Sequence, residues 1–234
     1  MNPEGKLATS EGFGAEADRR KRLGQFFTGI GLGRVLAAIG SAQTAGSIID
    51  PMEGSGDLIA ACLEVGAARA EFAGIEIDPI AHRLSSERLP AAAHILGSAF
   101  DPSVLRRLPR QHWDLVIANP PYVRYQSMSK GAGKDFRLPG AVEVRNGLLA
   151  SLKYMTALDA EDRRLFGVLA ANYSGLADLA VPSWILCASM VKVGGHLALV
   201  VPESWLSRDY SAVVHYLLLR WFRIEQIVEE IDTA

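Results

Sequence analysis

The chain has no apolar run long enough to cross a membrane as a helix, and its opening residues lack the basic, apolar and small-residue order of a secretory signal. Cysteine is scarce: Cys62 and Cys187 are the only two, too few for a disulfide framework, and both sit in apolar, helix-like contexts. A reduced, cytoplasmic protein with no membrane segment is the expectation. The five histidines, His82, His94, His112, His196 and His215, are not grouped with other ligands at metal spacing, so no metal site is expected. Excess charge is absent too. The net charge is −2, which argues against a free-standing nucleic-acid binder, because phosphate contacts need lysine and arginine.

What the chain does have is apolar content of 49% over 234 residues, enough for one α/β domain with a real core. Residues 1–22 are polar and are expected to be flexible; residues 23–234 are expected to form the folded domain. The basic residues are bunched. Arg19, Arg20, Lys21 and Arg22 form one group, Arg106, Arg107 and Arg110 a second, and Arg124, Lys130, Lys134 and Arg137 a third. Such groups are commonly solvated faces; the third is distinguished by what precedes it.

Short β-branched runs alternate with helical patterns. Strands are predicted at 46–50, 71–77, 93–97, 113–118, 195–201 and 223–229. Helical patterns follow the first two strands, at 57–67 and 80–89, and occupy 176–192 and 208–222 between the later ones. This alternation implies an α/β fold with a mostly parallel, doubly wound sheet covered on both faces. Residues 126–146 show no clear periodicity and read as a long loop.

Three stretches carry chemistry. In "DPMEGSGDL", Asp50 to Leu58, Gly54 and Gly56 permit a tight turn and close backbone approach, and a helix N-terminus follows. The turn lacks the spacing of a dinucleotide site and the Gly-Lys-Ser/Thr end of a phosphate loop. It contains no lysine or arginine and opens on Asp50, which suits a cationic or amine-bearing ligand better than a phosphorylated one. In "GIEIDP", Glu76 closes a strand, where an acid can accept ribose hydroxyls; Asp78 before Pro79 fits a helix N-cap. In "NPPY", Asn119 to Tyr122, Pro120 and Pro121 cannot extend a central ladder, so the strand stops at Asn119. Those four residues alone fit a proline-rich turn equally well.

Taken together, "LGQFFTGIGLGRVL", "DPMEGSGDLI", "GIEIDP" and "NPPYVRY" resemble the amino-group DNA methyltransferases that modify adenine N6, in the order with the cofactor motifs first, similar to the N-terminal catalytic part of the Eco57I-like restriction-modification methylases. "SGLADLAVPSWIL" and "VGGHLALVVPESWL" resemble the downstream helix and strand of that family. The resemblance implies a Rossmann-like methyltransferase fold using S-adenosylmethionine. Thr28 would help hold the methionine end of the cofactor, with Asp50, Gly54 and Gly56 lining its amino acid moiety. Glu76 would bind the ribose, Ile77 would pack on the cofactor adenine, and Ser98 would stand where the family often has aspartate. Gly29 departs similarly, from a usual proline.

The same resemblance assigns catalysis to Asn119, Pro120, Pro121 and Tyr122, with Asn119 also bordering the cofactor. The Asn119 side-chain oxygen and the Pro120 carbonyl would accept hydrogen bonds from the target amine, and Tyr122 would stack on the flipped base. Arg124, Lys130 and Lys134, with Arg137, would meet double-stranded DNA. The family adds a target-recognition domain that is not visible here, so a fragment or split subunit needing a partner is expected, with a part in restriction-modification or phage defence. "NPPY" also occurs in methyltransferases acting on RNA guanine N2 or protein glutamine, and a non-catalytic cofactor-binding subunit is a third reading.

Overall fold

The computed structural model describes residues 28–122, 138–155, 158–173, 179–206 and 211–229. Five strands form one sheet: β1 (Ser47–Asp50), β2 (Glu71–Glu76), β3 (Ala93–Leu96), β4 (Trp113–Ala118) and β5 (Val191–Leu199). Their spatial order is β3-β2-β1-β4-β5, and every pairing among them is parallel. Chain order therefore runs outward from β1 to β3, then returns to β4 on the other side. The strand order reverses between β1 and β4, which is where an open parallel sheet leaves a crevice at its carboxyl edge.

The helices are α1 (Gly29–Ile39), α2 (Asp57–Glu64), α3 (Pro79–Arg88), α4 (Pro102–Leu105), α5 (Ala141–Leu152), α6 (Ala160–Asn172), α7 (Ala180–Met190) and α8 (Ala212–Trp221). Alternate strand residues feed two cores. Ile48, Leu115, Ile117 and Ala198 pack with Leu36 of α1 and Leu58 and Ile59 of α2 on one face. Ile49, Ala73, Ile75, Val116 and Ala118 pack with Val144, Leu148, Phe166, Ile185 and Leu217 on the other. The central strands are thus buried on both faces, which explains their near-continuous apolar runs. At the foot of β1 and β4, Ser47 Oγ donates to Asp114 Oδ2 at 2.7 Å and accepts from the Asp114 backbone N–H at 3.1 Å. Lys192 forms an ion pair with the same aspartate.

Three sequence expectations are corrected. Residues 223–229, expected as a sixth strand, carry no strand and lie exposed, with Ile224, Ile227 and Val228 open to solvent. Their apolar residues do not alternate, and among the described residues no neighbouring strand supplies a ladder for them. Residues 141–146, expected within a long loop, are the first half of α5. Val144, Leu148 and Leu152 recur every fourth residue and bury one face of that helix. Strand β5 also starts earlier than residue 195. Val191 pairs with Trp113, but His196 already pairs with Leu115. The extra residues form a bulge around Gly194, whose φ is +78°.

Candidate active site

The glycine turn leaves β1 at Asp50. Gly54 and Gly56 both have positive φ, at +57° and +82°, a conformation that suits glycine. The turn is tied to β2 twice: the Glu53 N–H donates to the Ile75 carbonyl at 2.9 Å, and the Gly54 N–H donates to Glu76 Oε2 at 2.8 Å. Glu76 Oε1 accepts from the Asp78 N–H at 2.6 Å. Asp78 in turn caps α3 by accepting from the Ile80 N–H at 2.9 Å, with Pro79 in the first helical position.

These elements surround a cleft of about 940 Å³, counting the part open to solvent, ample for a nucleoside-sized ligand. Asp50, Gly54, Glu76, Ile77, Ser98, Asn119, Pro121 and Thr28 all line it. Of the residues expected to line the cofactor site, Gly56 alone is absent from the wall. It is the N-cap of α2, and a Cβ there would meet Leu89 at 2.7 Å, so its service is to the turn. Pro120 and Tyr122 also lie outside the wall, although Tyr122 bonds to a residue within it. Arg124, Lys130, Lys134 and Arg137 lie outside the described residues, as do Arg19 to Arg22 and the "GQFF" that precedes Thr28.

Two cleft carboxyls have unusual proton affinity. Burial pushes the Asp50 carboxyl well above its ordinary value. Burial also pushes Glu76 up to about 7, against the opposing effect of its two backbone donors. Both therefore hold a proton more readily than an exposed acid, and a cationic ligand would draw them to the ionised form. The wall also has an apolar part, with Ile77, Phe100, Pro121 and Leu138. Among the described residues no lysine or arginine lines the cleft. This donor set fits S-adenosylmethionine: carboxylates for ribose hydroxyls and a positive tail, apolar surface for adenine, and no phosphate partner among the described residues. Ser98 faces the cleft but its hydroxyl accepts from the Phe100 N–H at 3.2 Å, so it also shapes its own turn.

Across the cleft, β4 delivers Asn119. Its Nδ2 donates to Thr28 Oγ1 at 3.0 Å, and its Oδ1 accepts from the Tyr122 hydroxyl at 2.8 Å. The two partners fix which way the amide faces. Thr28, expected at the methionine end of the cofactor, lines the cleft and also accepts this bond from Asn119. The site includes residues that motif reading missed: Phe100, Leu138, Pro139 and Leu179 on the apolar side, and Glu53 behind the glycine turn. An acid within a turn that has no basic residue was itself a signal to look for a distant cation.

Among the described residues no group of histidine, cysteine and acid side chains could hold a metal, and no helix is long and apolar enough to cross a membrane.

A parallel sheet ordered 3-2-1-4-5, with a glycine turn after β1, an acid at the end of β2 and "NPPY" after β4, defines a Rossmann-like methyltransferase. The chain belongs to the N-6 DNA methylase family, whose sequence model matches residues 13–170; that of the Eco57I restriction-modification methylases matches residues 108–233. It is 26% identical to a type II methyltransferase of Thermus thermophilus over 205 residues, covering 88% of this chain and 40% of that protein. It is 24% identical to the type II methyltransferase M.HincII of Haemophilus influenzae over 122 residues, covering 52% of this chain and 22% of that protein. The fold matches the methyltransferase subunit of a type I restriction-modification system from Streptococcus thermophilus with a TM-score of 0.53 at 15% identity, covering 81% of this chain and 37% of that one. The chain thus spans less than half the length of these relatives.

Proposed function

We propose that this chain is the catalytic part of a DNA methyltransferase that moves a methyl group from S-adenosylmethionine to adenine N6. One observation carries the reading. Asn119 stands at the switch point, facing the acid-lined glycine turn, with its amide held by Thr28 and Tyr122.

The sulfonium of S-adenosylmethionine supplies an activated methyl group. The chain's own residues supply position and polarity. Glu76 and Asp50 would accept hydrogen bonds from the cofactor, and Ile77 and Phe100 would give its adenine an apolar seat. An exocyclic amine is a poor nucleophile because its lone pair is delocalised into the ring. Asn119 Oδ1 and the Pro120 carbonyl accept its two hydrogens and draw the nitrogen toward a tetrahedral shape. The two prolines fix that direction before the base arrives, which is electrostatic preorganisation. The nitrogen–methyl bond would form as the sulfur–methyl bond breaks, leaving a neutral thioether, and the amine would give up one of its two protons; this depends on in-line placement, and no covalent nucleophile is required. Cys62 and Cys187 are buried and free, and burial holds the Cys62 thiol up at about 12, so neither is a reactive thiolate.

Tyr122 as a platform for the flipped base, and Arg124, Lys130, Lys134 and Arg137 as phosphate contacts, belong to the same proposal. So does a target-recognition element or subunit beyond residues 1–234, because the chain covers 40% of the Thermus thermophilus relative. The test is transfer from isotope-labelled S-adenosylmethionine to adenine-containing DNA, single-stranded oligonucleotides included, with mass analysis of the nucleosides. N6-methyladenine is the expected product. Label on guanine N2 of RNA, or on protein glutamine, in place of adenine would overturn the substrate assignment.

A further inference from the structure

Behind the glycine turn lies a buried polar cluster that the methyl-transfer chemistry does not use. The Glu53 carboxylate is fully enclosed. Its Oε2 accepts from Ser85 Oγ of α3 at 3.2 Å. His94 of β3 brings Nδ1 to 3.0 Å from each carboxylate oxygen, with its hydrogen bond on Oε2. His94 Nε2 donates to the Leu89 carbonyl at 2.9 Å. That carbonyl can only accept, so Nε2 carries a hydrogen. A second proton must then lie between Nδ1 and the carboxylate, because otherwise a ring lone pair would face a buried anion. The pair therefore holds one shared proton.

The surroundings make that proton consequential. His82 meets His94 edge-on at 6.4 Å between ring centroids, and its buried Nε2 has no partner among the described residues. Asp50 and Glu76 are buried close enough for Glu53 to raise their proton affinity. Asp57 pairs with Arg88 at the rim. His94 is the group that offsets the Glu53 charge within this acidic nest. Glu53 is also braced from behind by Gly74, where a Cβ would lie 2.2 Å from the carboxyl carbon. Glu53 also borders the cleft, so a side chain released from His94 has that space within reach.

We propose that His94 is a positioning residue for the cofactor: through Glu53 it fixes the glycine turn, and the proton they share makes S-adenosylmethionine affinity fall at alkaline pH. The proposal rests on the cofactor reading above. The hydrogen bond to Glu53 raises the proton affinity of His94, burial opposing it, so the shared proton is held to higher pH than on an exposed histidine. Deprotonation strands a carboxylate beside Asp50 and Glu76, and its escape into the cleft competes with the ligand.

The experiment is calorimetry with S-adenosylmethionine from mildly acidic to alkaline pH, on the parent, His94→Gln and Glu53→Gln, with a thermal melt of each at every pH. The ligand's own amine titrates alike with all three, so differences between curves carry the result. The parent should lose affinity above neutrality, by at most about tenfold per pH unit for one proton. His94→Gln should bind about tenfold more weakly at neutral pH, the loss of one charge-assisted hydrogen bond, and should lack the alkaline fall. Glu53→Gln, which can donate to a neutral His94, should lack it as well and keeps the test valid if His94→Gln fails to fold. Variant curves that follow the parent, or a parent flat with pH, overturn the proposal and leave the cofactor reading intact. A folded parent that binds no S-adenosylmethionine at any pH removes both.

Discussion

The Tyr122 hydroxyl donates to Asn119 Oδ1 across 2.8 Å, so the acceptor assigned to the target amine is engaged by the ring assigned to stack on the target base. The same hydroxyl lies within reach of the Val200 carbonyl. Its single hydrogen can pass to Val200 as the amine takes Asn119, and no buried polar group is stranded in the exchange.

This handover sets an order among three variants. Tyr122→Phe keeps the ring and loses one neutral hydrogen bond, so methyl transfer should fall by about tenfold at most. Tyr122→Ala also loses stacking of roughly 1–3 kcal/mol and should fall further. Asn119→Ala should lose on the order of 100-fold or more while cofactor binding changes far less. Single-turnover transfer to an adenine oligonucleotide ranks them. A Tyr122→Phe defect as deep as that of Asn119→Ala would place the hydroxyl in the chemistry itself.

Glu76 spends both carboxylate oxygens on backbone N–H groups, of Gly54 and Asp78, and still borders the cleft. Glu76→Ala should weaken S-adenosylmethionine binding by about 1.5–3 kcal/mol, the value of a hydrogen bond to a charged group. Calorimetry measures it directly, and undiminished affinity would remove Glu76 from the ribose.

Stability should decline with rising pH across the neutral range. Glu76 titrates near 4.5 when unfolded and at about 7 when folded, and Asp50 is raised in the same sense. Between those values the native state holds more protons than the unfolded chain, so unfolding becomes easier as pH rises. The Glu76 shift alone corresponds to roughly 3 kcal/mol at most. His94 has the same sign, its stabilisation present at low pH and lost as pH rises through its raised value. Melting curves at about pH 5 and pH 8 should show a higher Tm at pH 5, with a smaller difference in Glu76→Gln. A parent Tm that climbs between these pH values would contradict the burial argument.

Gly147 lets α5 lie directly on the chain after β3: a Cβ there would stand 1.9 Å from the Phe100 carbonyl oxygen. Backbone cannot yield as a flexible side chain can. Gly147→Ala should destabilise by about 1–3 kcal/mol, as overpacking does, and should loosen cofactor binding through Phe100. Denaturant titration checks the first and calorimetry the second; a variant as stable as the parent would show that α5 can shift.

The strands that frame the cleft were legible because a punctuating residue stands at or just past the end of each: Asp50 before a glycine turn, Asp78 before Pro79, Asn119 before two prolines. Local chemistry also exposed the cap at Asp78 and the acids at Asp50 and Glu76. The second core layer was harder to read. Helix α5 has Gly147 in its middle and a weakly polar exposed face, so composition suggested a loop although Val144, Leu148 and Leu152 kept helical spacing. Helix α6 carries its own signal, Asp159 accepting from the Asp162 N–H ahead of Phe166, Leu169 and Ala170. At 223–229, β-branched residues suggested a strand that nothing pairs. The Glu53–His94 pair spans 41 positions, and no local pattern reveals a contact that only the parallel pairing of β2 and β3 creates.

The clasp between Ser47 and Asp114 works at a distance. β1 and β4 are buried on both faces, so apolar patterning opposes a register slip less firmly than it does in a half-exposed strand. Yet sliding β4 by one residue would carry Asn119 about 3.3 Å along the sheet, farther than a hydrogen bond tolerates, while Asp50 and the glycine turn stayed in place. A serine and an aspartate at the foot of the two strands therefore act as the zero mark of a ruler, and the span from donor to acceptor is read at its other end.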